Sequence, residues 1–259
     1  MIKTYQAPTV RKAFRILSLV CEAGEGCRIS DLSKKLKISK STVHGIVSVL
    51  EELGALIRNP KTKRFTPGIT LFELGKSAFS RIDLKEIAHP VMETLMHHAQ
   101  ESVFLGIRNG NHVTILDIVE SPQDLKITAP IGTRIPLFAG ATGKVFLAPM
   151  PDEEIKLLIQ KKGIRRYTEH TITNPILFLK EIHKARKNQY ALDDEEYISG
   201  VRAVAVPIRS ETSLVSAIWV VGFKPRMSRK KMSALVRETA SAAETIRTRM
   251  NAQKSGSLQ

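Results

Sequence analysis

The sequence predicts an α+β protein in two parts, and three observations predict it. Apolar residues recur at helical spacing three times within the first 54 positions, and a short alternating stretch with a basic turn follows them. Beyond residue 84, strand-like runs occur mostly in hairpins between helices, rather than in the strict strand–helix–strand order of a doubly wound sheet. With 259 residues, 42% of them hydrophobic, the chain can bury two ordinary cores.

From Thr9, the residues Val10, Ala13, Phe14, Leu17, Val20 and Cys21 repeat at helical spacing until Gly24 and Gly26 stop the helix. Ser30 then precedes a second, short helix over 31–37, with Asp31 in its first turn, where the helix dipole favours a carboxylate. Ile38 and Ser39 form a tight turn. A third helix carries Val43, Ile46, Val47, Leu50 and Leu53 on one side and ends at Gly54. The stretch ALIRNPKTKRFTPG predicts two short strands joined by a basic hairpin.

Residues 69–80 form a further amphipathic helix. A boundary near 82–84 separates it from the helical run LKEIAHPVMETLMHHAQ. SVFLGIRNGNHVTILDIVE reads as a hairpin about Asn-Gly-Asn, and 125–129 and 134–138 are strand candidates. Helices are expected over 140–147, 152–160 and 175–188, then two central strands in VRAVAVPI and SLVSAIWVVGF, then a long helix from Ser228 to about Asn251. The domains expected are 1–68, a linking helix 69–83, 84–251, and a disordered tail 252–259.

Charge locates a function. The whole chain has a formal charge of +15, and residues 1–80 hold 14 Lys and Arg against 6 Asp and Glu. On the third helix the set Lys40, Ser41, Thr42, His44, Gly45 and Ser48 is polar or small and clusters at the N-terminal end, while Glu51 and Glu52 come last. A helix that enters the major groove of double-stranded DNA needs this asymmetry, because its first turns meet base edges and phosphates. Lys34, Lys35 or Lys37 would brace the second helix on the backbone. Lys61, Lys63 and Arg64 at the hairpin tip would form a wing against flanking phosphates.

Cys21 and Cys27 are the only cysteines, which suggests neither a disulfide framework nor a zinc site, and no cofactor is expected. The N-terminus lacks the apolar run of a signal peptide, and no stretch is long and apolar enough for a membrane span, so a cytoplasmic protein without a membrane partner is expected.

At this point the residues resemble the IclR family of bacterial transcriptional regulators along nearly the whole chain. The N-terminal likeness lies in VRKAFRILSLV, ISDLSKKLKISKSTVHGIVSVLEELGALI and KRFTPGITLFELG. The C-terminal likeness lies in IGTRIPLFAGATGKVFLA and YALDDEEYISGVRAVAVPI, and it is the more specific of the two. The resemblance implies a winged helix-turn-helix, a linker helix through which such domains pair, a GAF-like domain that binds a small-molecule effector, and homodimers or homotetramers on palindromic operators. Ile69, Leu71, Phe72, Leu74 and Phe79 give the 69–80 helix more apolar surface than one small domain covers.

The resemblance also carries effector contacts onto Ile127, Ile135, Ala141, Thr142, Asp193, Val201, Ala203, Trp219 and Val221. A helix N-terminus at Ala141 and Thr142 would suit an anion, and Asp193 would accept from a hydroxyl or amine. The family commonly has Cys near Ala203, and members that respond to small polar acids carry serines where this chain has Trp219 and Val221. An apolar pocket follows, suited to an aromatic or hydrophobic effector, one with an acid group included, unless Trp219 fills the space itself.

Two other readings stand beside this one. A ligand-independent DNA-binding protein would leave the large C-terminal part unexplained. A small-molecule enzyme lacks its motifs: around GATGK, Phe138 and Val145 occupy positions that a phosphate loop gives to Gly and Ser/Thr. His97 and His98 diverge by about 100° on a helix, and neither HExxH nor GxSxG occurs. The acidic cluster Asp193 to Glu196 is read as a solvated loop or a cation site.

Overall fold

A computed structural model describes residues 7–79, 84–209 and 216–256. The chain divides into two compact units, Met1–Ile82 and Asp83–Gln259, called units 1 and 2 below.

In unit 1, α1 (Pro8–Glu22), α2 (Ile29–Leu36) and α3 (Lys40–Glu52) precede a hairpin of β1 (Leu56–Arg58) and β2 (Phe65–Pro67), and α4 (Ile69–Phe79) follows. The α2 helix starts earlier than Ser30 predicts. Its N-cap is Arg28, whose backbone N–H donates to Asp31 Oδ2 at 3.0 Å, so Ser30 lies inside the helix. That bond is the main cause holding the Asp31 carboxyl below the usual carboxylate range. Lys37, in the left-handed region at φ 54°, ends α2. Two residues later the Ser39 hydroxyl caps α3 by accepting from Thr42 N–H at 3.2 Å. Ile16, Val20, Leu32, Val43, Ile46, Val47, Leu50, Leu56 and Phe65 close the core beneath.

Unit 2 is one antiparallel sheet with helices on both faces. Its elements are α5 (Leu84–Ala99), β3 (Ser102–Asn109), β4 (His112–Val119), β5 (Arg134–Pro136), α6 (Gly140–Leu147), α7 (Asp152–Lys162), α8 (Pro175–Asn188), β6 (Ala191–Asp194), β7 (Val201–Ile208), β8 (Ser216–Phe223) and α9 (Arg229–Gly256). The strand order is β5-β4-β3-β8-β7-β6, which places the two apolar runs read as central strands at β7 and β8. Helices α5 and α9 pair with each other on the sheet, while α6 lies against β6, β7 and β8 and carries α8.

Three expectations change. Residues 125–129 are not a strand, because the place beside β4 is taken by 132–136: Gly132 N–H donates to Ile115 O at 2.8 Å, and Ile115 N–H to Thr133 O at 3.0 Å. The strand read over 134–138 ends at Pro136, where Leu137 N–H turns to Asn111 O. Edge strand β6 was not read from ALDD, which lacks the β-branched and aromatic residues of a strand signal. In addition, α9 runs on to Gly256, past the end expected near Asn251, while 257–259 lie outside the described residues.

A carboxylate with 1% exposure fastens one end of unit 2. Glu101, just before β3, accepts from Arg226 Nε and Nη2 and from Lys231 Nζ of α9, each at 3.1 Å. Arg226 Nη2 also donates to Leu125 O at 2.9 Å. Among the described residues, no helix is long and apolar enough to cross a membrane.

Candidate functional site

On α3 the helical period separates two faces. Val43, Ile46, Val47 and Leu50 are buried, while Lys40, Ser41, His44, Gly45 and Ser48 are exposed and Thr42 is half-exposed. Gly45 has open space where a side chain would stand, so backbone at that position can approach another molecule closely. The hydroxyls are partly committed. Those of Ser41 and Thr42 lie 3.2 and 2.8 Å from Ser39 Oγ, and Ser48 Oγ donates to His44 O at 2.9 Å, which leaves Ser48 as an acceptor.

The hairpin tip is tied to itself and to the α1–α2 connection. Asn59 Oδ1 accepts from the N–H groups of Lys61 and Thr62, both at 3.0 Å. The side chains of Lys61 and Lys63 are exposed. Arg64 is different: half-buried, it donates through Nη1 to Gly26 O at 2.8 Å, which braces the wing on its own domain and commits one of the five N–H donors of the guanidinium. Arg28, which the sequence reading left out, donates through Nε to Thr62 O at 3.1 Å and so adds a guanidinium beside the tip. Its position just outside α2 was visible, but its reach of 34 residues was not.

Unit 2 contains a cavity of about 180 Å³ between the sheet and α6, and all nine positions carried over by resemblance line it. Val201 and Ala203 of β7, and Trp219 and Val221 of β8, alternate along their strands and so share one face. Ile135 comes from β5, Asp193 from the end of β6, Ala141 and Thr142 from the first turn of α6, and Ile127 from the irregular strap 125–129. Phe104, Ile115, Thr133, Tyr197 and Ile198 complete much of the wall and were not read from sequence.

Trp219 is wall rather than filling. Its ring stacks on Phe104 with centroids 5.6 Å apart and planes 7° from parallel, and the two residues are register partners across β3 and β8. The indole covers Gly106, where a Cβ would stand only 2.8 Å from the ring. The space that remains resembles in size the apolar cavities of about 150 Å³ that hold a benzene ring.

The polar end of the cavity is a buried charge cluster. Lys144, with 2% exposure, pairs with Glu196 and donates to Leu192 O at 2.9 Å. Asp193 Oδ1 accepts from Glu196 N–H at 2.7 Å, and its Oδ2 lies against Gly140, the first residue of α6, whose first turn has no side-chain cap. The hydroxyls of Thr168 and Thr171 donate to Glu195 O and Glu196 O at 2.6 and 2.7 Å. The acidic run is therefore not a solvated loop. Asp194 pairs with Arg202 at 2.6 Å, Glu195 with Lys224, and Glu196 with Lys144.

Burial, and then the neighbouring Glu196 charge, push the Asp193 carboxyl up to about 7. A folded value above the unfolded one means that the folded state holds this proton more tightly. The group's contribution is complete below about pH 4 and is lost as pH rises toward 7. Glu196, raised mainly by burial, acts in the same sense, whereas His112, lowered by burial and by Arg134, opposes it below its ordinary range. We expect Asp193→Asn to flatten stability between pH 5 and 8 and to raise it at pH 8 by a few kcal/mol relative to wild type. Urea midpoints at both pH values check this, followed by the fluorescence of Trp219, the chain's single tryptophan.

Comparison with known proteins finds family matches in both units. The family profile "IclR helix-turn-helix domain" matches residues 9–60, and "Bacterial transcriptional regulator IclR C-terminal" matches residues 76–248. The HTH-type transcriptional repressor AllR of Salmonella typhi is 29% identical over 92% of this chain and 89% of its own length. The solved structure of Thermotoga maritima IclR is 30% identical, covers 93% of this chain and 98% of its own, and superposes with a TM-score of 0.65. An IclR homolog from Microbacterium hydrocarbonoxydans, solved with 4-hydroxybenzoate, shares the fold at 23% identity and a TM-score of 0.76, over 94% of this chain and 99% of its own. With one profile on the helix-turn-helix and another spanning two thirds of the sequence, the chain belongs to the IclR family of bacterial transcriptional regulators.

Proposed function

We propose that the chain recognises a palindromic operator as a cytoplasmic dimer or paired dimer, with α3 in the major groove, and that an effector in the unit 2 cavity modulates this binding. The observation that carries the DNA contact is the polar flank from Lys40 to Ser48, outward on a helix whose other side is core. Lys61 and Lys63 of the wing then neutralise flanking phosphates. Pairing of unit 1 is supported by Val10 and Phe14 of α1 and by Ile69, Phe72 and Leu74 of α4, each more than half exposed. The Phe79 side chain, part of that expectation, lies outside the described residues.

The effector is a single-ring aromatic or comparably small hydrophobic molecule. Cavity volume, the stacked Phe104–Trp219 wall and the aliphatic side chains around it support that size and polarity. The 4-hydroxybenzoate held by the Microbacterium homolog is a ligand of this kind. Occupancy acts through the spacing of two recognition helices in the oligomer.

Gel shifts test the α3 assignment. Lys40→Ala is expected to weaken operator binding about tenfold and to lower the salt dependence by about one phosphate contact. Thr42→Ala and His44→Ala are expected to weaken it by a similar factor, with relaxed sequence preference for whichever touches a base. Wild-type binding by all three would remove α3 from the interface.

A further inference from the structure

Among the residues lining the cavity, the ionisable side chains are those of Asp193 and Tyr197. Burial raises the Tyr197 phenol, which stays neutral near pH 7. Behind Asp193 the charges count unevenly: Lys144 of α6 supplies one cation, and Glu196 holds it directly. Other charges nearby are engaged elsewhere. Asp194 on the same strand pairs with Arg202 of β7, and Glu181 of α8 acts on Glu196. Asp193 is the one carboxyl among the lining residues: the Lys144 charge reaches it but is paired directly with Glu196, and the carboxyl is 7% exposed and lodged against the uncapped first turn of α6.

That placement puts two demands on one spot. An anionic ligand drawn to the free N–H groups of α6 would sit beside the Asp193 carboxylate, and two like charges in an apolar chamber cannot both persist. Resting on the reading of this cavity as an effector site, we propose that Asp193 is its charge filter: an anionic ring is bound only together with a proton on Asp193, whereas a cationic ring is bound against the ionised carboxylate. A carboxyl that titrates near neutrality allows both states. The proton comes from solvent and returns there on release, so ligand affinity and proton occupancy are linked.

Calorimetric titration of the full chain with benzoate, benzylamine and toluene tests the proposal. Titrations run from pH 6 to 8, in two buffers of different ionisation heat so that proton exchange is read directly. Benzoate is expected to take up about one proton at pH 8 and to lose about tenfold in affinity per pH unit above 7, the slope of a one-proton linkage. Benzylamine is expected to show the opposite sign, releasing a proton at pH 6, and toluene to bind equally throughout. Asp193→Asn is expected to abolish both slopes; should that variant not fold, the wild-type slopes decide. Benzoate affinity that stays level across pH 6–8 while toluene binds would overturn the charge filter and leave the effector cavity standing. Failure of all three probes to bind would remove the cavity reading, and the filter with it.

Discussion

Lys144→Met is expected to destabilise unit 2 by about 3–5 kcal/mol near pH 8, the range for breaking a buried ion pair from one side. The loss follows from what remains rather than from what is removed. Methionine fills similar space, but Glu196, whose side chain is 12% exposed, then keeps its charge without a cation, and Asp193 stands next to it. The Leu192 carbonyl loses its donor as well. Protonation relieves the two carboxylates, so the penalty should shrink as pH falls toward 5. Removing both charges in Lys144→Met, Glu196→Leu should recover most of the stability, because an apolar pair has no desolvation cost to offset. Urea unfolding followed by Trp219 fluorescence reports on unit 2, where that residue sits. A single variant as stable as wild type at pH 8 would mean that the cluster is wetter than its burial indicates.

Gly140→Ala is expected to cost about 3 kcal/mol and to distort the cavity's polar end. Two causes add. Gly140 has φ +49°, where an L side chain costs roughly 1–2 kcal/mol, and a methyl group there would overlap Asp193 Oδ2. The carboxylate cannot retreat cheaply, since Oδ1 is held by Glu196 N–H. Combining the change with Asp193→Ala should remove the overlap but keep the backbone strain, giving a coupling of about 1 kcal/mol or more in a double-mutant cycle. Additive losses would show that glycine is required there for its backbone angle alone.

These two residues mark how far the sequence was legible. The helices of unit 1 and the strands β7 and β8 follow from local period and need no tertiary knowledge. Val201 with Ala203, and Trp219 with Val221, could be placed on common faces because strand alternation is a short-range rule. Phe104 could not, since its place against Trp219 is set by antiparallel register between strands at opposite ends of the sequence of unit 2. Lys144 looked like part of a failed phosphate loop, and only folding puts it against Glu196, 52 residues away. Arg64 was legible as charge but not as a donor to Gly26 O, because a hydrogen bond across 38 residues leaves no periodic trace. The strap at 125–129 alternates like a strand and was lost to competition, its place beside β4 having gone to the residues after Pro130.

Arg226 fastens that strap and the root of the last helix with a single guanidinium. One nitrogen reaches the Leu125 carbonyl, and the same plane grips Glu101, which Lys231 of α9 also holds. A swing of Ile127 that drags Leu125 outward must therefore either break a charge-assisted bond at the surface or pull, through Arg226 and the buried Glu101, on the opening turn of a 28-residue rod. The rim of the cavity and the start of that rod share one tether, and Arg226 is where a movement of either is passed to the other or let go.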